Sequence, residues 1–168
     1  MPDLLARTFQ FRVTLTQSPA VPPVGGTDQP SQSGVFTDGA FAECTGLDME
    51  MDVGEYVEGG RNNGILQHLG RTKSSRITLR RGMLFPIGGR VNAELWQWFQ
   101  DVVDGVRPLR RYDGTISMLD DGDRAVASWR FVRGLPAKLV GPQLNAATGA
   151  VAIEELQIAH EGLRWEAR

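Results

Sequence analysis

Little in this 168-residue sequence is equipped for redox, metal or group-transfer chemistry. Its one cysteine, Cys44, can form neither an internal disulfide nor a cysteine zinc site within a single chain. The two histidines, His68 and His160, are far apart and stand in no His-x-x-x-His spacing. Net charge is only −2, from 18 Lys and Arg against 20 Asp and Glu, so no global field holds nucleic acid or an anionic membrane. No run approaches the ~18 apolar residues of a membrane-spanning helix, and no stable membrane association is expected. Met1–Arg7 lacks a basic region followed by an apolar stretch, which with the lone thiol predicts synthesis in a reducing cytoplasm.

Motif-level chemistry is equally sparse. Asp120, Asp121 and Asp123 lack the frame of a calcium loop and read as a solvated turn. Gly59-Gly60 precedes no helix pattern, so it cradles no phosphate. Arg80-Arg81 and Arg107…Arg110-Arg111 are the basic clusters, too few for a nucleic-acid site without exposed stacking aromatics. His160 reads as a packed or hydrogen-bonded residue and His68 as a surface or contact residue, rather than as catalysts. Neither an enzyme nor a cofactor site is expected.

Glycine and proline are what the chain has in quantity: 20 and 9, about 17% against a usual ~12%. That favours a turn-rich β domain, and the length fits one domain spanning 1–168. Period-2 alternation supports it. Phe9, Phe11, Val13 and Leu15 share one face; Leu47, Met49, Met51 and Val53 repeat the pattern, as do Ile77 and Leu79. Each predicts a strand with a core face and a wet face, as antiparallel sheets show. Gly114–Leu119 and Arg124–Arg133 predict a hairpin around Asp120–Asp123, and Ala150–Gly162 one last long strand. Leu95, Trp98, Phe99 and Val102 instead fall at helical spacing, predicting one helix over 91–104 with Asn92 as N-cap and Gly105 beyond its end. Trp98 belongs to the core face, whereas Trp96 faces another side and reads as interface.

Two segments read as irregular. Ser18–Asp38 is a long Pro/Gly-rich loop. Residues 58–73 hold four glycines and the apolar pair Ile65-Leu66, which has no place in the core and suggests burial against a partner.

Four words in order carry a resemblance. Glu55–Gly60, then Leu69–Lys73 running into Ile77–Gly82, the helix Leu95–Phe99, and Gly141–Ala146 followed by Val151–Leu163 are similar to the tail-tube protein family of contractile phages and phage-tail-like injection systems. The resemblance covers Phe9–Leu163 and extends in fold to the tube protein of type VI secretion. It implies a mainly β fold, a small antiparallel β-barrel or two-sheet core with one flanking helix. It further implies a structural inner tube subunit: homo-hexameric rings stacked into a tube inside a sheath protein, on a baseplate or spike hub, beside a second tube paralogue. Cargo or DNA would pass through the lumen without sequence-specific binding. A tube-initiating or adaptor ring at the baseplate is the alternative, and a monomeric small-molecule-binding β-barrel a third, which would need a closed apolar pocket.

The resemblance also suggests contact residues. Residues 58–73 correspond to the segment family members lay against neighbouring subunits, so Arg61, Ile65, Leu66, Arg71 and Lys73 are expected in inter-subunit contacts, against the plainer reading that the segment packs on its own domain. Asp48, Glu50, Asp52, Arg76 and Arg80 are candidates for the channel lining, against ordinary solvent-facing charges. Ser18–Asp38 is not explained by the family; an ordered contact on a ring face or outer wall competes with disorder and with a channel-facing loop.

Overall fold

The computed structural model describes residues 10–19, 41–57, 59, 64–83 and 92–166, and the backbone of 35–39. Among these are ten strands and one helix, in the order β1 Phe11–Gln17, β2 Val35–Gly39, β3 Glu43–Thr45, β4 Met49–Tyr56, β5 Leu66–Ser74, β6 Ile77–Gly82, α1 Glu94–Val103, β7 Tyr112–Leu119, β8 Ala125–Val140, β9 Ile153–Ala159 and β10 Gly162–Glu166. All pairings are antiparallel. The main sheet runs β2-β1-β7-β8-β9-β6-β3, with β10 on β8 and the β4–β5 pair apart.

One long strand organises this sheet. The first half of β8 pairs with β7 and with β10; its second half pairs with β9. Arg133, at the junction, has φ +54°, a left-handed conformation that bends the strand. Gly134 beside it is required by packing, since a Cβ there would come within 2.8 Å of Ile158 and Phe131. The partner strand breaks at the same level: β9 and β10 follow one another along one edge of β8, interrupted at His160-Glu161. The single strand expected over 150–162 is therefore two, continuing to Glu166, because both chains must bend together.

Side chains fix the bend. Asp113 accepts from the Arg133 N–H (2.9 Å), from the Ser18 hydroxyl and from Arg130 (3.3 Å). Glu161 takes Arg133 (2.9 Å) and Arg111 (2.8 Å). The sheet thus folds into two layers. Val13, Leu15, Ile116, Phe131 and Leu163 of one layer meet Ile77, Leu79, Leu156 and Ile158 of the other, all buried.

Helix α1 flanks this core. Leu95 and Trp98 are buried, Trp98 packing edge-on against Tyr112 at 4.7 Å and donating to the Arg110 carbonyl (3.0 Å). The helix is shorter than 91–104: Asn92 Oδ1 accepts from the Glu94 N–H (3.0 Å) just ahead of it, and Gly105 at φ +72° follows its end.

Three expectations are corrected. The loop reading of 18–38 fails at its end, where Val35–Gly39 forms β2 on the open edge of β1; Val-Phe-Thr is strand-prone and an unpaired edge needs a partner. Residues 20–34 lie outside the described residues. The loop reading of 58–73 fails from Leu66 onward, where β5 pairs with β4; Gly70 marks a bulge opposite Asp52, not a loop. The apolar face of β4 meets no core among the described residues.

Candidate assembly surface

Strands β4 and β5 pair with each other and, among the described residues, with no other strand. Across the ladder Met51 opposes Thr72 and Val53 opposes Leu69, with the bulge between them. Alternation then places Met49, Met51, Val53 and Leu69 on one face. Their exposures are 57%, 48%, 55% and 69%, an apolar stripe that no described residue covers. The opposite face is charged: Lys73 bonds Asp52 at 2.5 Å, Glu50 opposes Lys73, and the His68 ring lies where a Cβ on Gly54 would be. Toward the far end of the hairpin the Tyr56–Leu66 pair adds exposed apolar surface on this second face, and Val57 and Ile65 are exposed next to it. A hairpin that buries neither face in its own domain is marginal alone in water. Exposed apolar area in such a stripe is the mark of an interaction site.

At its base the stripe runs on through Leu47 to a cleft of about 290 Å³ between Phe11, Ile116, Met118 and Trp129 of one layer and Ala42 and Cys44 of the other. The cleft opens to solvent. Burial pushes the Cys44 thiol up to about 11, so it supplies no thiolate nucleophile near neutral pH.

The expected contact residues fall on this hairpin. Ile65, Leu66, Arg71 and Lys73 are exposed there, and Arg61 lies outside the described residues. Lys73 already has an intramolecular partner in Asp52, which raises its pKa. Met49, Met51, Val53 and Leu69 join them; alternation detected the first three but assigned them to the core.

The five channel candidates do not share one surface. Asp48 accepts from Ser75 at the hairpin base (2.5 Å), and Glu50 and Asp52 sit on the hairpin. Arg80 lies on the outer face of the second layer between Glu43 (2.9 Å) and Glu155 (3.7 Å), while Arg76 is exposed just before β6.

Its neighbour Arg81 points inward. It pairs with Glu154 (2.6 Å), which is 1% exposed and also accepts from Trp96 Nε1 (2.9 Å). Trp96, read as an interface residue, instead ties α1 to β9. His160 contacts the Ser75 carbonyl (3.0 Å) and packs on Phe131, as a structural histidine does. Among the described residues no cluster of His, Cys, Asp or Glu could hold a metal, and no helix is long and apolar enough to cross a membrane.

Against known proteins, the family described as T4-like virus tail tube protein gp19 matches residues 7–164. A chain of the anti-feeding prophage baseplate superposes with a TM-score of 0.75 at 19% identity, covering 98% of this chain and 97% of that one. A chain of the PVC sheath–tube complex, from an extracellular contractile injection system, gives 0.71 at 22% identity, covering 98% and 93%. No curated protein sequence matches.

Proposed function

Because the chain belongs to the T4-like virus tail tube protein family, we propose that six copies close into a ring and that such rings stack into a hollow inner tube. The role is structural, not enzymatic, as it is across this family of tube subunits, and the chain is a component of a phage tail or injection particle. Assembly takes place in the bacterial cytoplasm. A sheath protein surrounds the tube, which starts on a baseplate or spike hub beside a second tube paralogue. Cargo or DNA passes through without sequence-specific binding.

The observation that carries this reading is the β4–β5 hairpin, whose apolar stripe finds no cover among the described residues. Covering it with a neighbour contributes about 1.5–3 kcal/mol per fully buried side chain. Electron microscopy of the purified protein, alone and with its sheath, tests the proposal. Rings or tubes are expected; featureless monomers in both samples overturn it. Copy number in purified particles separates a main tube protein, among the most abundant species, from an adaptor ring at the baseplate.

For the channel, the outer face of β3–β6–β9 offers a candidate wall. Arg80 is flanked by Glu43 and Glu155, two carboxylates against one guanidinium, so this patch is mildly acidic and offers no attraction to a passing polyanion. Asp48, Glu50, Asp52 and Arg76 join this lining only near the hairpin base. A density map with all five charges on the outer wall ends the lumen reading.

A further inference from the structure

The hairpin needs a receptor, and the opposite end of the same layer supplies one. β5 ends at Ser74 and β6 begins at Ile77, so the hairpin is joined to the start of β6. At the other end of β6, Gly82 pairs with Ile153 and the Met83 N–H donates to the Ala152 carbonyl (2.8 Å). There the segment Gly141–Ala152 crosses between β8 and β9, about 20 Å away at strand rise. These twelve residues carry no charge, in a chain that is 23% charged. Leu144 and Val151 are 89% and 75% exposed. Between Gln143 and Ala152 the segment lines an open, uncharged hollow of about 330 Å³.

This segment is also held in shape. Asn145 Oδ1 accepts from the Ala147 N–H (2.9 Å), and the Asn145 carbonyl accepts from Thr148 (3.3 Å). Trp96 of α1 pins both ends: its ring lies over Gly141, where a Cβ would come within 3.2 Å, and its Nε1 reaches Glu154 just past the segment. A surface already ordered loses little conformational freedom on binding.

We propose that Gly141–Ala152 is the docking surface for the apolar hairpin face of a second copy of this chain, so that Met51, Val53 and Leu69 of one copy cover Leu144 and Val151 of the next. The proposal rests on the tube reading above and names the partner of its hairpin. Hairpin packing on hairpin would be isologous and would close at a dimer. A hairpin docking on the opposite end of the next copy is heterologous and propagates, as a tube requires. Met51, Val53 and Leu69 on one side and Leu144 and Val151 on the other carry no charge, so they strand none in the joint; Glu55, a charge that alternation adds to the hairpin face, lies beyond Val53 toward the far end.

Two proteins test this, Leu69→Cys and Leu144→Cys, each in a Cys44→Ser background. They are assembled alone and as a mixture, then oxidised or treated with a short bis-maleimide. A covalent dimer is expected from the mixture and from neither protein alone. Tubes in the mixture without that dimer, or equal dimer from one protein alone, overturn the docking surface. Should the cysteine proteins not assemble, Leu144→Asp in the wild-type chain decides. It is expected to cut tube yield at least about tenfold with an unchanged melting temperature, and wild-type yield overturns the proposal. Wild-type protein that forms no tubes with its sheath is a different result, which fails the tube reading itself.

Discussion

Asp113 shows how much one carboxylate can hold. Burial pushes its pKa up, but the Arg133 N–H, the Ser18 hydroxyl and Arg130 outweigh burial and leave it below the ordinary 3.8. A group depressed in the native state stabilises fully above its unfolded value, and that stabilisation is lost as pH falls through the native value. Asp113→Ala is expected to cost about 1–3 kcal/mol at pH 7. The gap from wild type should shrink below about pH 4, as acid melts followed by circular dichroism will show. Glu154 is the harsher case. Removing it leaves Arg81 and the Trp96 N–H buried without their shared acceptor, so Glu154→Ala should cost about 3–5 kcal/mol. For a chain of this size that lowers the melting temperature by about 10 °C. The double variant Arg81→Met, Glu154→Met should melt above either single one, since it strands no charge.

Among the elements, the hairpin separates assembly from folding. Val53→Asp with Leu69→Asp changes only exposed positions outside the two-layer core, so stability should stay within about 0.5 kcal/mol of wild type. Tube formation should be lost in the same protein, and Ile65→Asp with Leu66→Asp should behave alike. Thermal melts paired with negative-stain microscopy check both. The same hairpin explains where the sequence was readable. The turn at Asp120–Asp123 located β7 and the body of β8, and alternation located β1 and β6 because those strands do have one core face and one wet face. It located β4 as well, but alternation states only that two faces differ. It cannot distinguish a face turned to the core from one left for another molecule. In β5 the pattern is broken by the bulge at Gly70 and by His68 crossing Gly54, so its glycine was read as loop. Pro136 hid the second half of β8; it is tolerated because the β8–β9 ladder shifts register between Pro136 and Lys138. Of the contact residues named from sequence, Ile65, Leu66, Arg71 and Lys73 lie on or beside β5, while the Trp96–Glu154–Arg81 tie had no local signature, its members being 15 and 73 residues apart along the chain from Arg81.

For the whole molecule, the strand pairings are dominated by long sequence separations: Phe11 with Met118, and Ile77 with Ile158. Such topologies fold slowly because loop closure precedes any reward from contact. Refolding from denaturant is expected on the millisecond-to-second scale, read by stopped-flow fluorescence of Trp98 and Trp129; microsecond completion would contradict this architecture. During synthesis the same pairing sets an order of events. β4 and β5 are neighbours in the chain and can join as soon as Ser74 is free, whereas the β1–β7 pairing waits for β7, about 2–9 s later at ordinary translation rates. The surface proposed to receive the hairpin, Gly141–Ala152, is made later still. A nascent chain therefore carries its plug well before its socket: it can dock on a finished neighbour but offers nothing for the next chain to dock on. On the proposed docking, growth in that direction would wait for translation to pass Ala152.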